Sequence, residues 1–153
     1  FELKPKDLIA GAKKFTGVKR RLEYLGQFSK IDLFDDFAHH PTSIKASIAA
    51  VKSTLDSSSL YAVVELASNT MKKGSLKSEL KKSFVDVDYA WILNSGNIQW
   101  DIREEFAEIE NVAILKTLVD LPDQVQSKIK PGDSLIIMTN SDSMRISNVL
   151  KKK

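Results

Sequence analysis

Two stretches of this chain, LYAVVEL at 60–66 and SLIIMTN at 134–140, run apolar residue after residue without the alternation of a half-exposed strand. Runs this short, apolar towards both sides, suit strands of a parallel sheet covered on both faces. IDLFDDF at 31–37, YAWILN at 89–94 and VAILK at 112–116 are shorter versions of the same pattern. Between them the apolar period changes to that of a helix. Ile44, Ile48, Val51 and Leu55 share one face. Leu76, Leu80 and Phe84 share another, with Lys77, Glu79, Lys81 and Lys82 opposite. Leu121, Val125 and Ile129 repeat the four-residue step, KPGD at 130–133 ends that helix, and SDSMRISNVL at 141–150 reads as a last short helix. The alternation predicts an α/β fold: a three-layer, Rossmann-like domain with a mainly parallel sheet of about six strands, helices on both faces and right-handed crossovers. Residues 1–14 read as a helical linker and 15–30 as an edge segment, a turn followed by an extended piece pairing at the sheet edge. Residues 31–150 read as the α/β core of a single domain.

A chain of 153 residues suits one domain with a real core. Lys and Arg number 23 against 20 Asp and Glu, and Lys151, Lys152 and Lys153 account for the excess. The body is therefore electrically balanced, which argues against a nucleic-acid partner. The absence of cysteine excludes disulfides, thiolate metal sites and a cysteine nucleophile. No apolar run approaches the ~18 residues of a membrane span, and no signal peptide is visible, so the expected compartment is the cytoplasm. The chain opens on Phe1 rather than methionine, which suggests an excerpt of a longer protein.

Several strands end on polar residues: Asp35 and Asp36, Glu65, Asn94, Lys116 and Asn140. In a parallel α/β sheet such ends share one edge, where ligands bind. FDDFAHHPTSI at 34–44 sits there and holds both histidines of the chain, His39 and His40. Adjacent turn residues rarely converge on one ion and no third histidine exists, so no metal centre is expected. Two readings stay open. Asp36 and the histidines cap a helix starting near Pro41, or they contact a ligand, a carboxylate on ribose hydroxyls with imidazoles beside a base or phosphate. GVKRR at 17–21 is either a solvated basic turn or a phosphate and sugar contact. SNTMKKG at 68–74 is either a loop whose Ser68, Asn69, Thr70 and Lys72 hold a carboxylate, or an ordinary connection in which Ser68 or Thr70 caps a helix. The sequence has neither Gly-x-x-x-x-Gly-Lys-Ser/Thr nor Gly-x-Gly-x-x-Gly. The phosphates of any nucleotide would then be held by another domain.

FTGVKRRLE at 15–23, DDFAHHPT at 35–42 and SNTMKKG at 68–74, in this order, resemble the C-terminal domain of the Mur ligases over roughly residues 14–140. The resemblance implies an ATP-dependent amide ligase of peptidoglycan synthesis and recycling. It is strongest to the branch joining the tripeptide L-Ala-γ-D-Glu-meso-diaminopimelate to UDP-N-acetylmuramate through an acyl phosphate. ATP and Mg2+ would be bound mainly by a central domain and the UDP-sugar by an N-terminal domain, both outside this chain, leaving the isolated domain inactive. Carried over by motif, Arg21 and Asp36 contact the nucleotide, with Asp36 on the ribose. His39 and His40 line the interdomain cleft near the reacting groups. Ser68, Asn69, Thr70 and Lys72 form the incoming-peptide loop. Two departures stand out. Where the family loop resembles Glu-Pro-Arg-Ser-Asn-Thr-Met-Lys, Glu65 is followed here by Leu66 and Ala67, so the arginine is missing. Where the family has a glycine-rich stretch after the last strand, MTNSDSMRI at 138–146 has no glycine. The alternatives are the branch adding L-alanine, which would carry a His-Arg-Tyr-Ser-Arg-like loop where ASNTMK stands, and a non-catalytic α/β binding module with a basic tail.

Overall fold

The computed structural model describes residues 4–15, 17–56, 58–94 and 96–152. Six strands form one sheet: β1 (Glu23–Phe28), β2 (Ile31–Asp36), β3 (Leu60–Glu65), β4 (Tyr89–Leu93), β5 (Val112–Leu115) and β6 (Ser134–Met138). Their order is β1-β2-β6-β3-β4-β5. β1 runs antiparallel to β2, and the other pairings are parallel. The helices are α1 (Pro5–Lys14), α2 (Pro41–Lys52), α3 (Asn69–Lys73), α4 (Lys77–Lys81), α5 (Ile102–Glu105), α6 (Leu121–Lys128) and α7 (Ser143–Lys151), with 3-10 turns at Lys82–Phe84 and Leu118–Asp120.

The continuous apolar runs are explained by two cores, one on each face. Successive residues of β6 alternate between them: Ile136 and Met138 join Ile44 and Ile48 of α2, while Leu135 and Ile137 join Val125 of α6 and Ile146 of α7. β3 divides likewise, Ala62 and Val64 to one side and Val63 to the other. Each buried Val, Leu, Ile or Met among these, fully withdrawn from water, contributes roughly 1.5–3 kcal/mol. The chain steps outward from β2 past the place of β6 to β3, β4 and β5 with α2, α4 and α5 on one face. It then returns through α6 on the opposite face and inserts β6 between β2 and β3. Changing face when the direction reverses keeps the crossovers of one hand.

β1 pairs antiparallel with β2 at the sheet edge through a two-residue hairpin. Ser29 and Lys30 both take positive φ, +50° and +64°. That is the primed turn whose twist matches flanking strands, here without its usual glycine. The expected helix over 76–84 is broken into α4 and a 3-10 turn, and α3 stands before it as a separate short helix. Gly74 ends α3 at φ +77°, and an added Cβ there would lie 2.6 Å from Cδ1 of Trp100. Between β4 and β5 the helix is a single turn, α5, tied back to α4 because Glu105 accepts from Lys77 Nζ at 2.9 Å and Lys81 Nζ at 2.8 Å. α1 buries none of its residues and leaves Leu8 and Ile9 exposed. No helix among the described residues is long and apolar enough to cross a membrane.

Candidate functional site

Parallel pairing places the carboxyl ends of β2 to β6 on one edge. The register is level: Asp36 and Val64 both pair with Met138, so the tips of β2 and β3 flank that of β6. The chain leaves β2 towards α2 on one face and β6 towards α7 on the other, and crevices open where connections diverge in this way. Three carboxylates are buried at this point, Asp35, Asp36 and Glu65, at 2%, 3% and 2% exposure. Buried charge survives only with partners. Asp36 accepts the backbone N–H of Leu22 at 2.8 Å and of Ala38 at 2.7 Å. Asp35 accepts the Ser143 hydroxyl at 2.7 Å and lies 3.4 Å from Arg20 Nε. Burial pushes the Asp35 carboxyl above its ordinary range, partly offset by Ser143 and Arg20. Glu65 accepts the Thr139 hydroxyl at 2.8 Å and pairs with Arg145 Nη2.

Arg20 sews the turn before β1 onto this edge. Its guanidinium donates to the Thr139 carbonyl and stands 5.0 Å from the Phe37 ring centroid. Its own carbonyl accepts the Phe37 N–H at 2.9 Å. The backbone takes φ +56° at Arg20 and +48° at Leu22, a conformation L-residues adopt only when surroundings hold them. The Asp36 carboxylate and the Arg20 contacts are what hold them.

The residues singled out in the sequence all reach this edge. Arg21 is exposed, with no partner among the described residues. Asp36 is committed to the backbone of the turn carrying Arg21. His40 caps α2: its Nδ1 accepts the Thr42 N–H at 3.4 Å, and Ser43 reciprocates by accepting the His40 N–H at 3.2 Å. His39 places Nδ1 2.9 Å from the Phe37 carbonyl and meets the Phe37 ring edge-on at 5.3 Å. Neutral His39 therefore keeps Nε2 as an acceptor, and neutral His40 keeps Nε2–H as a donor. Ser68 caps α3 by accepting the Met71 N–H at 3.3 Å. Asn69 and Thr70 are exposed in its first turn. Lys72 is half-buried, its carbonyl accepting the Gln99 N–H at 2.8 Å. SNTMKKG is thus a capped helical turn closed by Gly74, not an open loop.

Beside it lies a cleft of about 630 Å³ at the tips of β3, β4 and β5, lined by Glu65, Asn94, Lys116, Thr117, Leu118 and Arg145 among others. Three of these are strand-end polar residues visible in the sequence. Arg145 gave no such signal, because it sits within a helical pattern 80 residues from Glu65. Among the described residues no group of three or more His, Asp or Glu is placed to hold a metal ion. Arg21, exposed and without a partner among the described residues, presents a guanidinium fork that matches an anionic phosphate or a sugar.

The family model described as Mur ligase, glutamate ligase domain, matches residues 20–140. The UDP-N-acetylmuramate–L-alanyl-γ-D-glutamyl-meso-2,6-diaminoheptandioate ligase of Escherichia coli K12 is 35% identical over 138 residues, 89% of this chain and 30% of that protein. The murein peptide ligase of Psychrobacter arcticus superposes with a TM-score of 0.77 at 30% identity, over 94% of this chain and 32% of that one. A domain solved from a ligase of the same designation in Haemophilus ducreyi gives 0.71 at 29% identity, over 86% of this chain and 98% of that one. The chain spans about a third of the length of the full relatives it matches.

Proposed function

The chain belongs to the Mur ligase family, as its glutamate ligase domain, and from that premise we propose that it is the closing domain of an ATP-dependent ligase. The ligase joins L-Ala-γ-D-Glu-meso-diaminopimelate to UDP-N-acetylmuramate in peptidoglycan recycling, in the cytoplasm. A domain outside these residues would hold Mg2+ and the phosphates of ATP; transfer of the γ-phosphoryl group would leave ADP and activate the muramyl carboxylate as an acyl phosphate, from which attack by the peptide's free amine would release inorganic phosphate as the amide bond forms. This chain's residues position and enclose the reactants. Arg21 faces the nucleotide, and Asp36 acts on it through the turn it holds, its carboxylate reaching the ribose only if those backbone bonds loosen. His39 and His40, at the tip of β2, line the interdomain cleft with one acceptor and one donor nitrogen. Asn69, Thr70 and Lys72, on the turn that Ser68 caps, meet the incoming peptide. Closure of such a rim excludes water and fixes the amine at its target, which is where the rate advantage of an amide ligase arises.

The observation that carries this reading is the shared edge: the Arg21 turn and the histidines gather at the tip of β2 and the Ser68–Gly74 turn at the tip of β3, level with each other on either side of β6. The family loop expected for an L-alanine ligase is not present, which favours the tripeptide. The test is product analysis with the parent protein, ATP, UDP-N-acetylmuramate and tripeptide. One ADP, one phosphate and one UDP-N-acetylmuramyl-tripeptide should appear together, and none with residues 1–153 alone. Formation of AMP, or ligation of L-alanine in place of tripeptide, would overturn it.

A further inference from the structure

The cleft at the tips of β3, β4 and β5 carries an excess of positive charge. Lys116, just past β5, and Arg145, in the first turn of α7, face it together with one carboxylate, Glu65. Both Glu65 oxygens are taken, by Thr139 and Arg145, so it is not available to neutralise Lys116. Lys116 is exposed and has no ionic partner among the described residues. The Arg145 side chain stays 38% exposed, and only its Nη2 is engaged. A guanidinium has five donors in a rigid fork, so several are left to the cleft. Asn94 spends its Oδ1 on the Gly96 N–H at 3.0 Å and keeps its amide nitrogen to donate. The result is a preorganised set of donors around two cations, the match of a carboxylate. On the neighbouring turn, Leu66 is 1% exposed and Ala67, next to it, carries no donor side chain.

We propose that Arg145 and Lys116 form a carboxylate clamp of this chain: a carboxylate of the incoming peptide is gripped from α7 and the β5 tip, alongside the contacts of the turn after β3. The proposal rests on the ligase reading for the identity of the peptide. Glu65 is the positioning residue that aims Arg145, and a cleft of about 630 Å³ accommodates a residue-sized portion of a peptide rich in carboxylates.

Amide chemical-shift titration of residues 1–153 tests it, since the Haemophilus ducreyi chain of nearly the same extent is a folded domain by itself. The probes are the tripeptide and the same tripeptide with its carboxylates amidated. Shifts at Asn94, Lys116, Thr117 and Arg145 should follow the tripeptide and vanish with the amidated form. K116Q, at a residue whose side chain has no hydrogen-bond or ionic partner among the described residues, and R145K, which keeps the charge beside Glu65 but loses the fork, should each weaken binding about threefold to tenfold. Unchanged affinity in both variants, equal binding of the amidated peptide, shifts confined to 68–74, or none at millimolar tripeptide would each overturn the clamp. The ligase reading is judged apart from this, by the parent protein's products.

Discussion

Asp36 spends its whole carboxylate on two backbone N–H groups, one from its own strand's exit and one from a turn fourteen residues earlier. Asp36→Asn replaces one acceptor with a donor facing a donor. A loss of about 1–3 kcal/mol is expected in urea unfolding, the cost of leaving a buried group unsatisfied. Stability within about 0.5 kcal/mol of the native chain would contradict that. Asp35 behaves differently. Its carboxyl binds a proton more readily in the folded chain than in the unfolded one, where it sits near 3.8. Its contribution to stability therefore improves as pH falls from neutrality through the raised pKa, and levels off below the unfolded value. The native chain should gain stability relative to Asp35→Asn on that descent; a relative loss would show that Arg20 and Ser143 outweigh burial. That an acidic pair stands at a strand tip was legible in the sequence. Which N–H groups it serves was not, because Leu22 reaches Asp36 only through residues at positive φ, which Arg20 and Leu22 do not announce.

Short elements carry the candidate site, and their breaks are set by distant neighbours. Gly74 closes α3 at φ +77° against the Trp100 indole, whose Nε1 donates to the Met71 carbonyl at 2.9 Å. Gly74→Ala adds the left-handed penalty and a clash with a ring that packs against the core, an expected loss of at least about 2 kcal/mol in thermal or urea unfolding. An unchanged melting temperature would mean that Trp100 moves aside freely. The apolar face of Leu76, Leu80 and Phe84 was legible as a helical stripe, and Leu80 and Phe84 are indeed buried. The interruption before it was not, since the reason for Gly74 lies in Trp100, 26 residues downstream. The hairpin at Ser29 and Lys30 escaped for a similar reason: neither residue is a usual choice for positive φ.

For the molecule as a whole, the alternation of apolar runs and helical stripes predicts parallel strands and two covered faces, and the two cores follow that pattern. Strand order is a different matter. Nothing local says that β6 inserts between β2 and β3, yet that insertion places Thr139 and Ser143 against Glu65 and Asp35 and brings Arg145 to the cleft. The motifs marked the rim; tertiary pairing decided which side chains on it are committed and which are free. In this account the rim divides, nucleotide beside the Arg21 turn and peptide beside Lys72 and the cleft. The most direct test is the KM for each substrate in the parent protein carrying Arg21→Gln or Lys72→Gln. Arg21→Gln should raise the KM for ATP about fivefold or more while that for tripeptide stays within about twofold, and Lys72→Gln should do the reverse. Both variants moving the same KM, or neither moving any, would contradict the division of the rim.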